Sequence, residues 1–230
     1  MIENPHARPI APAAWLRSPV GLGWAAVGGL GLVIATDLFA VWADLVTLGV
    51  TGDLADSGFG AVTDERIDRA DRLYAAAGIA QVVAVVPTVV LFLCWFHRAR
   101  VNAEVFDPYG HRKGRGWAIG GWFVPVVNLW FPRRITADIW DASAPVGSPR
   151  SHGLVNAWWA VWLCSFLVGR FAARRDRDAE TAQEMHDAVR WMVFSDAVDI
   201  VAAALAVAVV LRVTRMQHEK AMAGPAPLPV

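Results

Sequence analysis

Four aspartates, Asp37, Asp44, Asp196 and Asp199, stand inside long apolar stretches of a chain of 230 residues. A carboxylate in that setting costs several kcal/mol unless it is paired, protonated or reached by water. It can therefore hold a cation, share a proton, or lock helices together through an ion pair. On a helix, Asp37 and Asp44 lie two turns apart on one face, and Asp196 and Asp199 are neighbours at i, i+3. Arg170 and Arg174 close a third apolar stretch at comparable depth. Arg170 is the basic residue that interrupts an apolar run there, so a pair with Asp196 or Asp199 is expected. Two uses of the cluster follow: a structural set of ion pairs, or a wet cavity for an ion, a proton or a small cationic solute.

A second group is Pro125, Asn128 and Pro132, which interrupt a Trp-rich stretch. A broken helix frees carbonyls that can coordinate a cation or a polar headgroup. A third is the basic set Arg112, Lys113, Arg115, Arg133 and Arg134, suited to anionic lipid headgroups or to fixing topology. Cys94 and Cys164 sit in apolar sequence without metal-ligand spacing, and His97 and His111 lack a partner acid or cysteine in motif register. Neither a nucleophile elbow, a phosphate-cradling loop nor a His-Glu-x-x-His pair is present, so no catalytic, cofactor or metal site is expected. Lys plus Arg equals Asp plus Glu at 21 each, which provides no field for nucleic acid.

The elements that must position these residues are membrane spans. The chain is 56% apolar and 18% charged, against about 45–50% apolar in soluble domains, and the excess is concentrated in blocks. Residues 20–46, 73–96, 153–171 and 191–211 are each long enough to cross a bilayer core, and lipid requires each to be a helix. The expected fold is all-α: a polytopic membrane domain over 20–217 with four spans arranged as two hairpins. Residues 117–131 are too short for a straight crossing and are read as a re-entrant or interfacial segment, with a fifth span as the alternative. Trp95, Trp117, Trp130, Trp140, Trp158, Trp159 and Trp191 cluster at segment ends, as an aromatic belt does. The Pro-bearing lead 1–19 and the tail 218–230 are expected to be disordered and flexible. Basic residues between 98 and 116, against the acid-rich connection 47–72, place the N-terminus in the cytoplasm.

An internal repeat bears on the short segment. Arg100-Val101-Asn102-Ala103-Glu104 follows the second span, and Arg215-Met216-Gln217-His218-Glu219 follows the last. Both read Arg-x-(Asn or Gln)-x-Glu, which is simplest if both copies face one side, with four spans between. The stretch Trp95-Phe96-His97-Arg98-Ala99-Arg100-Val101-Asn102, then Gly116-Trp117 and Val124-Pro125-Val126-Val127-Asn128-Leu129-Trp130-Phe131-Pro132, resembles the actinobacterial membrane proteins grouped as domain of unknown function 4328. Gly169-Arg170, Ser195-Asp196-Ala197-Val198 and Arg215-Met216-Gln217 are similar to that family as well. The resemblance implies a membrane fold over most of the chain and implies no activity.

The function expected is that of a non-enzymatic bacterial cell-membrane protein, an accessory or organising subunit. Its partners would be the bilayer, anionic headgroups, and a second copy or another membrane protein. The alternatives are a small transporter or channel using the acidic cluster, and a membrane-embedded enzyme acting on lipid near Asn128.

Overall fold

The computed structural model describes residues 16–57, 60, 62–145, 147 and 151–223. The described chain is helical throughout: α1 (Val20–Ser57), α2 (Asp64–Phe106), α3 (Trp117–Phe123), a 3-10 turn (Val127–Leu129), α4 (Phe131–Ser143), α5 (Gly153–Arg177) and α6 (Ala182–Ala223). Four of these, α1, α2, α5 and α6, are long and apolar enough to cross a membrane. The chain is a multi-pass membrane protein.

Three of the spans greatly outrun a bilayer. Helices α1, α2 and α6 have 38, 43 and 42 residues, and at about 1.5 Å per residue each is roughly twice as long as a 30 Å hydrocarbon core. The connection expected over 47–72 is largely helix, with Arg66 paired to Asp53 at 2.9 Å across it. The tail expected to be flexible from 218 is helical to Ala223, while 224–230 and most of the lead, 1–15, lie outside the described residues. Local chemistry sets the helix starts. Asp64 and Glu65 place negative charge in the first turn of α2. Before α6, the Thr181 hydroxyl accepts from the Glu184 amide at 3.2 Å and the Glu184 carboxylate accepts from the Thr181 amide at 3.0 Å, a reciprocal capping box.

The hydrogen bonds fix the direction of each span. The Asn102 side chain accepts from the Arg17 amide at 3.2 Å and donates to the Arg17 carbonyl at 2.8 Å; it also donates to Gln217 Oε1 at 3.2 Å. The start of α1 and the ends of α2 and α6 therefore share one end. His152 beside Asp141 at 2.8 Å, and Arg133 bonded to Asn156, bring the start of α5 to α4 at that end. At the opposite end Thr51 meets His186 at 3.3 Å. The spans run up, down, up, down. Residues 107–145, with α3 and α4, form a platform at the end where α2 finishes and where α5 begins. The fifth-span alternative is thereby excluded: a seven-residue α3 broken at Val124 is far too short to cross.

Helix α1 packs on both α2 and α6, and α5 packs on α6, giving the order α2, α1, α6, α5. Close approach needs glycine where α1 meets its neighbours. A Cβ on Gly23 would lie 2.6 Å from Thr214 Oγ1, and one on Gly29 would lie 2.8 Å from Thr88 Oγ1. Small residues at such crossings are how helices gain packing in lipid, where burial of apolar surface gives no drive. The repeat has a physical counterpart too. Asn102 bonds to Gln217 and Gln81 bonds to Asp196, and both pairs are separated by 115 residues.

Candidate functional site

A cleft of about 520 Å³ opens between α2 and α5, with α1 and α6 as its floor. Its platform end is aromatic. Trp122 of α3 packs against Phe92, Phe96, Trp158, Trp159 and Trp162, with ring centroids 5.5 to 6.2 Å away. Each such pair contributes about 0.5–1.5 kcal/mol beyond its buried area, so α3 is fastened to both outer spans.

The chain break beyond α3 is what allows that placement. Val126 has φ +68°, and the Val127 amide donates to the Pro125 carbonyl at 2.8 Å, a γ-turn of the rare positive-φ kind. A β-branched residue is strained there, and the reversal aims Trp122 into the bundle. Pro132 lies in the first turn of α4, where its missing N–H costs nothing. The Leu129 carbonyl freed by the break accepts from Trp159 Nε1 at 3.0 Å. Asn128 is half-buried, and the partner of a freed carbonyl is this indole.

The other end of the cleft is acidic. Gln81 of α2 donates through Nε2 to Asp37 Oδ1 and to Asp196 Oδ1, at 3.0 Å each. One amide nitrogen thus holds two carboxylate oxygens within about 6 Å of each other, a repulsion of about 3 kcal/mol at an effective dielectric near 20 if both are ionised. Asp37 is 4% exposed, and its Oδ2 has no hydrogen-bond partner among the described residues; the same holds for Oδ2 of Asp44, which is also buried. Asp37, Gln81, Ser165 and Asp199 line the cleft. Asp44 lies farther along α1, away from the lining. At about 1.5 Å per residue, Asp196 is roughly 9 Å from Arg190 and 24 Å from Arg212, so the cluster occupies the half of the membrane away from the platform.

Arg170 does not complete it. The guanidinium lies over the Phe166 ring, 5.6 Å from its centroid, is exposed, and forms no ion pair with Asp196 or Asp199. The expected pairing fails for a rotational reason. Ser165 faces the cleft, and five residues on, a helix has turned about 140°, which points Arg170 away. Depth was matched and azimuth was not. Gln81, the hub of the cluster, was missed, although an amide inside an apolar run was a visible signal.

The basic set is mostly engaged by the protein. Arg115 pairs with Glu104, Arg133 donates twice to Asn156 Oδ1, and Lys113 lies 4.3 Å over the Phe131 ring. Arg112 and Arg134 are exposed at the platform. Among the described residues no group of His, Cys, Asp and Glu is arranged to hold a metal ion.

No curated protein and no solved structure matches the chain. The family model described as Domain of unknown function (DUF4328) matches residues 60–215, which takes in both outer spans, the platform, Gln81, Asp196 and Asp199, and the chain belongs to that family.

Proposed function

We propose that this is a bacterial cell-membrane protein that binds a positively charged solute at its intramembrane carboxylates, as a carrier or receptor and not as an enzyme. The platform end is cytoplasmic in this reading. The observation that carries it is Asp37: its side chain lines the cleft with one carboxylate oxygen buried and without a partner among the described residues, a second acid is tied to the same amide, and no Lys or Arg among the described residues lines the space. A buried charge pair that served only to lock helices would be closed by a cation from the protein. Here the arrangement leaves that role to a ligand. The orientation is supported by the Arg and Lys residues of the platform, which the positive-inside rule places in the cytoplasm.

The test is thermal unfolding of the purified protein with tetramethylammonium chloride, with sodium chloride at matched ionic strength as the reference. A ligand that binds only the folded state raises the melting temperature by mass action. The wild type should be stabilised by the ammonium ion, and Asp37→Asn should lose that response. A wild type indifferent to tetramethylammonium would refute the reading. For orientation, a cysteine placed at the exposed Ala221 should resist an impermeant thiol reagent in whole cells.

A further inference from the structure

We propose that the cleft binds an amphiphile with a cationic head and a largely aromatic or branched apolar body, and admits it sideways from the bilayer between α2 and α5. This rests on the cation reading above and adds the nature of the rest of the ligand. The volume, about 520 Å³, far exceeds what an inorganic cation needs and falls in the range of cavities that enclose drug-sized molecules. The acids and the amide lie toward one end, at Asp37, Gln81 and Asp199 with Ser165, and Phe92, Trp122, Trp158 and Trp162 define the other; Thr88, between them, donates its hydroxyl to the Ala84 carbonyl at 2.7 Å. Gln81 and Phe92 are eleven residues apart on α2, about 16 Å along the helix. That spacing suits a molecule with its charge at one tip.

Access from the bilayer follows from the rim. Val82, Val85 and Val89 line the cleft yet are 61%, 43% and 43% exposed, so the wall runs without a break into the lipid-facing surface of α2. Charge selects against the other amphiphiles of a membrane. An anionic or zwitterionic phosphate head would meet carboxylates with no basic residue among the described lining to receive it, and a neutral chain would leave the Asp37 and Asp199 carboxylates without a counter-charge. The aromatic end adds stacking area for a ring-bearing body.

Equilibrium dialysis of the full chain in zwitterionic detergent, with empty micelles subtracted, tests this with 4-(biphenyl-4-yl)butyl-trimethylammonium as probe. Saturable binding is expected, at least tenfold tighter than that of tetramethylammonium in competition. 4-(Biphenyl-4-yl)butanesulfonate, with the same body and the opposite charge, should show no saturable binding. Asp37→Asn should weaken the ammonium probe at least tenfold. Ala203→Phe, which narrows the cleft and leaves every carboxylate in place, should do the same while the melting temperature confirms a folded protein. Equal affinity for tetramethylammonium would overturn the amphiphile while leaving the cation site standing. Saturable binding of the sulfonate, or binding of the ammonium probe indifferent to both substitutions, would overturn the proposal by making the cleft a plain lipid groove.

Discussion

The two polar regions buried in this bundle are built on opposite principles. At the platform end, Gln217 is 1% exposed and donates to the Ala99 carbonyl at 2.8 Å and to Ser143 at 3.2 Å while accepting from Asn102. Arg100, also 1% exposed, pairs with Glu104 at 2.8 Å, and Lys220 donates to the Ala142 and Ala144 carbonyls at the end of α4. Within this network around Gln217 and Lys220 charges, donors and acceptors are matched; the ring nitrogens of His111 and Trp122 Nε1, unpartnered among the described residues at the same end, lie outside it. In the opposite half, Asp37 and Asp196 share a single amide, and among the described residues Oδ2 of Asp37 and Oδ2 of Asp44 are left over. A satisfied network defines the fold; an unsatisfied one of a single sign is stable only in company. The contrast teaches where to look for function: at the imbalance, because a matched network has nothing left to offer a ligand.

The largest effect should come from breaking the matched side. Gln217→Leu removes three buried hydrogen bonds, to Ala99, Ser143 and Asn102, and at about 1 kcal/mol each should destabilise the protein by about 3 kcal/mol, read as a lower melting temperature in detergent without added cation. The unmatched side should respond with the opposite sign. Asp196→Asn retains an oxygen for Gln81 and removes a like charge, so in cation-free buffer it should stabilise by up to about 2 kcal/mol. A loss comparable to that of Gln217→Leu would mean that the acids are structural, and the comparison would collapse. Next in size is Gly23→Ala, whose new methyl would drive Thr214 Oγ1 from its 2.9 Å bond with Trp95 Nε1; overpacking of this kind costs about 1–2 kcal/mol. The smallest effect sharpens the contrast most. Arg170→Ala should change stability by less than about 0.5 kcal/mol, since that guanidinium lies outside the carboxylate cluster, and a loss of several kcal/mol would restore the internal ion pair.

How much of this was legible in the sequence depends on which force wrote it. The four spans were plain because lipid demands long apolar runs with no substitute. The repeat was plain because Arg-x-(Asn or Gln)-x-Glu carries its own geometry: Arg100 and Glu104 pair across one turn, as do Arg215 and Glu219 at 2.7 Å, and the middle amides turn inward to meet. The length and prolines of the short segment argued for a re-entrant or interfacial element and left a fifth span as the alternative. Its purpose was not legible, because the ring contacts of Trp122 join residues from three separate elements. The overhangs of α1 and α2 were hidden because a helix continuing into water carries no apolar signal; residues 64–72 alternate acids and arginines and read as loop. The acids were found by their cost in lipid, yet the error at Arg170 shows that sequence reports depth along a helix better than direction around it.

The Trp122 contacts also dictate an order of assembly. The indole touches Phe92 and Phe96 from the first hairpin and Trp158, Trp159 and Trp162 from the second. When α3 leaves the ribosome only half of its docking surface has been synthesised. The segment must wait at the membrane surface until α5 has been inserted, and only then dock between the two outer spans. Its docking is therefore a late step of biogenesis, and it reports that both halves of the protein have reached the same bilayer.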